Sequence, residues 1–307
     1  MEDVGRWPSL ALDEWRDTYA TLHMWMQVVG KIRLAQTPLV NHWWNVAFHL
    51  TSRGLTTGPM LYRERVFSID FDFVDHRLVL ACSDGATRTM ALAPKSVAEF
   101  HGELMGMLHD LAMEIRIWPV PVEVPDPIPF EQDFKHCAYD AESATRCWRI
   151  LLQVETVLSQ FRARFLGKCS PVHFFWGSFD LAVTRFSGRR APERGDRITR
   201  EAYSHEVISH GFWPGSGPIQ GPAFYAYAAP EPDGLKTAAI LPSGARYDAD
   251  MSEFILPYDE VRRSASPEET LLEFLQSTYE AAADLGHWDR LDLERSADAP
   301  RPRVAGA

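Results

Sequence analysis

Residues 66–74 read Val-Phe-Ser-Ile-Asp-Phe-Asp-Phe-Val. Phe67, Ile69, Phe71 and Phe73 fall on one side and Ser68, Asp70 and Asp72 on the other, the two-residue period of a strand with one buried face. A strand buried on one side only is at home in an antiparallel sheet, since parallel sheets are covered on both faces. Residues 77–82 and 86–92 extend the pattern as two further strands, joined by Asp84-Gly85, a tight-turn signal.

Helical periodicity flanks this strand group. Residues 13–36 carry Trp15, Tyr19, Leu22, Met26, Val29 and Ile32 at near-helical spacing, with Asp13 as the expected N-cap and Pro38 as the stop. Ser96 opens a second helix, with Glu99 at capping-box spacing and Phe100, Leu104, Met107, Leu108 and Leu111 inward. Between helix and meander, residues 42–51 read as a strand that begins His42-Trp43-Trp44.

Residues 119–129, PVPVEVPDPIP, offer few backbone donors and mark a connector over 119–140 between a first half (1–118) and a second (141–290). Beyond it the layout repeats. A long helix is predicted over 143–166 and a strand over 172–186, opening His173-Phe174-Phe175. Further strands are expected at 203–211, 223–229 and 245–255. A last helix starts Ser266-Pro267-Glu268-Glu269 and runs to Gly286, and residues 291–307 read as an unfolded tail. The expected fold is α+β: two pseudo-equivalent helix–antiparallel strands–helix halves in one compact globular unit. Helix–strand alternation is common, so a chance match of the two His-aromatic openings is the competing reading.

The composition narrows the classes. With 46% hydrophobic residues, 10 Trp and 17 Phe among 307, the chain has ample apolar surface for a core. A net charge of −11 and no basic stripe argue against nucleic acid as a partner. No apolar run approaches a bilayer span, and no secretory signal opens the sequence. Cys82, Cys137, Cys147 and Cys169 lack the spacing of a zinc knuckle or a disulfide framework, which fits a reducing cytoplasm. Oligomeric state is not legible.

Several stretches carry a resemblance: WPSLALDEWRDTYATLH (7–23), TPLVNHWWNVAFHLTSRGLTTG (37–58), CSPVHFFWGSFDLAVTRFSGR (169–189), EAYSHEV (201–207) with GFWPG (211–215), and FLQSTYEAAADL (274–285). Together they resemble a bacterial family catalogued only as a domain of unknown function, over about Trp7 to Trp288. The resemblance implies a single-unit globular fold and nothing about chemistry.

No Gly-rich nucleotide loop (GxGxxG or GxxxxGK[ST]) and no GxSxG elbow is present. His205, Glu206 and His210 suggest a metal, but on a strand His205 and His210 point to opposite faces. Glu206 and His210 share a face yet stand about 13 Å apart at roughly 3.3 Å per residue. A divalent metal would need ligands from a neighbouring strand, with His205 the first choice.

The two leading strands are more informative. On one, Trp43, Asn45 and His49 share the less apolar face; on the other, Trp176, Ser178 and Asp180 do. Tryptophan among hydrogen-bonding side chains suits an aromatic-walled pocket, the competing reading being a solvated sheet face. The expected site is a small-molecule pocket with walls from Trp43, Trp176, Tyr225 and Tyr227, and Asn45 and Ser178 as polar contacts. Asp180 and Glu206 are the candidate acid/base carboxylates, and His49 or His205 the proton shuttle. Arg185 either snorkels to water or clamps an anion. An enzyme using this chemistry is favoured; a carrier or sensor with the same pocket, or a structural, partner-binding protein, are the rivals.

Overall fold

The computed structural model describes residues 5–216 and 219–295. Helix α1 (Leu12–Gln36) leads through a 3-10 turn at Asn41–Trp43 into β1 (His49–Thr51), β2 (Gly54–Thr56), β3 (Met60–Tyr62), β4 (Arg65–Asp72), β5 (Arg77–Cys82) and β6 (Thr87–Ala91), then α2 (Val97–Asp110). Beyond the proline-rich connector come α3 (Ala141–Ala163), β7 (His173–Phe175), β8 (Asp180–Arg190), α4 (Arg197–Ala202), β9 (His205–Trp213) and β10 (Ala223–Ala229). The chain closes with β11 (Arg246–Asp248), β12 (Glu253–Pro257), α5 (Tyr258–Arg262), α6 (Pro267–Leu285) and α7 (Arg290–Leu293).

The architecture is α+β, with two antiparallel six-stranded sheets. One runs β1-β2-β4-β5-β6 with β3 paired to β4; the other runs β11-β12-β10-β9-β8-β7. Their edges meet where Phe48 and Phe174 exchange backbone hydrogen bonds of 2.8 and 3.0 Å. The sheets are therefore joined side by side. Phe67, Ile69 and Phe71 of β4 are buried as the alternation demands, and Phe71 stacks on Phe100, which stacks on Trp25 of α1. The Ser96–Glu99 capping box forms as expected. Helix α1 starts one residue before Asp13 with no side-chain cap, α3 is capped by Asp140, and Ser266 makes no capping bond.

Three strand expectations fail, each where the backbone turns out of the ladder. Of residues 42–51 only the last three pair as a strand; His42 (φ 60) and Trp43 (φ 62) are left-handed within the 3-10 turn. Side chains there give the backbone partners that compete with a ladder. Asn45 Oδ1 accepts from Val40 N at 3.2 Å, and Glu201 Oε1 accepts from His42 N at 3.0 Å. Residues 172–186 are not one strand but a hairpin, broken by a turn at 176–179 with Phe179 at φ 59. The two His-aromatic openings are therefore not equivalent, since His42 sits in a turn and His173 on β7.

Residues 245–255 likewise split into β11 and β12. Part of the expected tail is ordered: Arg290 of α7 pairs with Glu280, Asp284 and Glu294. Residues 296–307 lie outside the described ones. Among the described residues no helix is long and apolar enough to cross a membrane.

Candidate functional site: an aromatic cleft over the second sheet

The face of the second sheet turned away from α3 and α6 is the floor of a cleft of about 550 Å3. Asp180, Ala182, Thr184 and Phe186 of β8 line it, beside Val207 and Ser209 of β9 and Tyr225 and Tyr227 of β10. Alternation on β8 thus holds from Asp180 onward. Phe175 pairs with Asp180 across the hairpin and lines the cleft too.

Trp43 and Trp176 both line this cleft, each fixed differently. The Trp43 indole N–H donates to the Ile198 carbonyl of α4 at 3.0 Å, tying the 3-10 turn to the short helix at the mouth. Trp176 lies flat on α1 at Gly30, where a Cβ would stand 2.1 Å from its Cδ2, and its N–H donates to the Val46 carbonyl at 2.8 Å. The turn that carries Trp176 is held by α1 as well. Gln27 Nε2 donates to the Gly177 carbonyl, and His23 Nε2 donates to the same oxygen at 2.8 Å. His42, Trp43 and Phe179 are non-glycine residues with positive φ, and all three stand in or beside the cleft; such strain persists only where the surroundings enforce it.

Asp180 is buried, and its carboxylate accepts from the Ser178 and Tyr225 hydroxyls. Burial raises its pKa, while those two donors pull it back down. Two further carboxyls feel it. Glu123, from the proline-rich connector, lines the cleft, and burial followed by Asp180 raises its pKa. Glu253 of β12 is raised to about 7 by burial, then by Asp180 and Asp248. A hydroxyl network continues across the floor: Tyr227 to Tyr203 at 3.0 Å, and Thr184 to Ser209 at 2.9 Å.

At the other end His42 Nδ1 donates to the Ala202 carbonyl at 3.1 Å, which leaves Nε2 bare to accept from Lys168 Nζ at 2.6 Å. Burial and then the Lys168 charge lower the His42 pKa and hold it neutral.

The remaining expected site residues are elsewhere. Glu206 accepts from Ser187 and pairs with Arg189 at 2.7 Å on the opposite face, away from the cleft floor. His49 packs edge-on against His173 and is no part of the cleft lining. His205 stands behind His42, ring centroids 5.9 Å apart, also outside the lining. Asn45 is buried and spent on Thr37 and Val40, so it positions the turn and presents nothing to the cleft.

Arg185 neither snorkels nor clamps: it is 1% exposed, its guanidinium 3.5 Å from the Phe161 ring centroid on the helix-packed side. Odd positions of β8 point to the helices, and that parity decides its fate. Cys169 is pushed up to about 11 by burial, an inert thiol.

A metal at His205 meets poor surroundings. Lys168 and Arg190 lower its pKa behind burial, and those cations would oppose a dication. His42 Nε2 is taken, and among the described residues no group of three or more His, Cys, Asp or Glu could hold a metal ion.

The family model that matches, over residues 7–295, is described as a family of unknown function, DUF5996. The chain belongs to that family. No curated protein and no solved structure matches. The match runs from Trp7, which packs on Tyr258, to Arg295, so α1, both sheets and every residue of the DUF5996 cleft fall inside it.

Sequence reasoning missed Lys31, Trp44, Glu123 and Phe186 in the lining. Lys31 had a signal, a lone cation inside the apolar run 24–32 of α1. Glu123 had none, because its place depends on Gln27 holding the Val122 backbone through bonds of 2.8 and 3.1 Å.

Proposed function

We propose that this DUF5996 chain binds a small organic molecule in the cleft and moves a proton to or from it through the Asp180 carboxyl. The carrying observation is a buried carboxylate, held by two hydroxyl donors, that opens on an aromatic-walled hollow. A carboxyl whose pKa burial raises is suited to acid/base work near neutrality. Glu123 is the second carboxyl of this reading, in the role the sequence suggested for Glu206. The strong negative charge of the chain favours a small molecule over nucleic acid as partner. Four free cysteines suit a cytoplasmic site of action.

Asp180→Asn tests the proposal, because it keeps the shape and removes the proton exchange. Mixtures of small organic compounds incubated with the protein are followed by NMR for consumption, and by tryptophan fluorescence for occupancy. The expected result is unchanged occupancy with turnover reduced about 100- to 10,000-fold, the usual worth of a general acid or base. Full turnover in the variant removes Asp180 from the chemistry. Occupancy without turnover in the wild type favours a carrier.

A further inference from the structure

Lys31 projects from α1 into the cleft, next in sequence to the glycine on which Trp176 lies. Only 5% of it is exposed, and it has no hydrogen-bond or ion-pair partner among the described residues. Neither Asp180 nor Glu123, which line the same space, forms an ion pair with it. The stem is buried while the ammonium keeps some contact with the open cleft, as it is not among the fully buried polar atoms left without a partner. A largely desolvated cation with no counter-charge is still costly unless something supplies the charge. Burial lowers the Lys31 pKa with no opposing carboxylate, as expected of a cation left uncompensated.

We infer that the cleft is built for a small monocarboxylic acid with an apolar body, its carboxylate paired with Lys31 and its body between Trp43, Trp176 and Phe175. The inference rests on the small-molecule reading above and adds the ligand's class. A single point charge matches one carboxylate; a phosphate dianion is better served by an arginine fork or a nest of backbone N–H groups, and among the described residues the cleft lining contains no arginine. The carboxyls of Asp180 and Glu123 elsewhere in the lining also disfavour a second negative charge on the ligand. The volume, about 550 Å3, is of the size that encloses a molecule of one or two rings.

Matched probes test this: a series of ω-phenylalkanoates with two to four methylenes, their primary amides, and phenyl phosphate. Each is titrated against the full chain by tryptophan fluorescence and by thermal shift. The wild type is expected to prefer each carboxylate over its amide by at least tenfold. Lys31→Met keeps the stem and removes the charge, so it is expected to erase that preference while leaving amide affinity within twofold. The same variant is expected to melt above the wild type in ligand-free buffer, since an unpaired buried cation is gone; that melt also shows that it folds. Trp176→Phe is expected to weaken carboxylate and amide alike.

Equal binding of carboxylates and amides by the wild type, or a preference that survives Lys31→Met, overturns the inference and leaves the cleft reading standing. Tighter binding of phenyl phosphate than of the alkanoates overturns the assigned class. If no member of any series binds, the ligand class and the small-molecule reading fall together.

Discussion

Tyr225 reaches Asp180 because it passes over a glycine. The register places Tyr225 of β10 opposite Gly211 of β9, and Gly211 opposite Ala182 of β8, so the tyrosine hydroxyl spans a whole strand to donate to the carboxylate. A Cβ on Gly211 would stand 2.4 Å from that hydroxyl. The site's central hydrogen bond therefore depends on a residue that touches no ligand.

Tyr225→Phe removes a donor to the ionised form of Asp180 and should raise its pKa beyond the rise that burial already causes. If Asp180 serves as a base, the acid limb of the pH–rate profile moves to higher pH. Gly211→Ala, which expels the same ring, should shift the limb the same way and also lower stability. An unmoved limb in both variants would separate Asp180 from the observed chemistry.

Gly30 and Trp176 give the second prediction. A methyl group at Gly30 cannot coexist with the indole 2.1 Å away, so the ring must leave α1 or the turn at 176–179 must move. Overpacking of this kind costs about 1–3 kcal/mol. Gly30→Ala should lower the urea midpoint and red-shift the tryptophan emission, since the Val46 carbonyl partner is lost. Ala35→Gly, on an exposed part of the same helix, serves as the control for helix propensity, at about 1 kcal/mol.

A third concerns pH and stability. The Glu253 pKa is raised from 4.5 to about 7 in the folded chain, so between those values the native state binds more protons than the unfolded one. Native stability must then fall as pH rises through that window. Buried histidines act with the opposite sign: His23 is lowered to about 4, chiefly by burial, and destabilises the native state as pH falls from 6.5. The total curve mixes both, so the prediction concerns a difference. Relative to wild type, Glu253→Gln should gain stability steadily from pH 4.5 to 7 and then hold a constant advantage. Urea melts at half-unit pH steps measure it, and a flat difference would show that Glu253 titrates normally.

How much of this was legible depends on range. The β4 alternation, the β5–β6 turn, the capping box and the outlines of the long helices rest on neighbours in sequence, and local physics fixed them. Ser178 and Asp180 share a face by strand parity, Tyr225 and Tyr227 join them as aromatic walls, and all four line the cleft. The failures differ in range. Residues 42–46 read as strand, yet Glu201, 159 positions away, binds their backbone and favours a turn. Glu206 and His205 shared a strand with cleft residues, but Glu206 alternates with Val207 and Ser209 of the floor and so faces the far side, where it pairs with Arg189, and His205 stops behind His42. The Gly177-Ser178 pair within 172–186 was a readable turn signal that the apolar alternation masked.

Arg185 carries the last prediction, because its burial runs against expectation. Its guanidinium stacks on Phe161, Tyr279 and Phe165 at 3.5, 4.2 and 5.0 Å, and it donates to the Phe161 carbonyl. No carboxylate forms an ion pair with it among the described residues, its Nε has no partner, and burial lowers its pKa to about 10. The rings contribute about 2 kcal/mol of cation–π attraction, and desolvating the cation costs several kcal/mol. Phe161 O also accepts from Arg164 N at 3.2 Å, so removing the guanidinium does not orphan that carbonyl. Arg185→Met, which fills the space without charge, should therefore match wild-type stability within about 1 kcal/mol or exceed it, as buried charges replaced by apolar groups often do. Arg185→Ala should lose about 2–5 kcal/mol through the void it leaves. Because the side chain lies on the helix-packed side of β8, Arg185→Met should leave the fluorescence titrations of the cleft unchanged. A methionine variant that folds well and yet loses those titrations would mean that the guanidinium reaches the cleft floor through β8, and the parity argument for that strand would have to be redrawn.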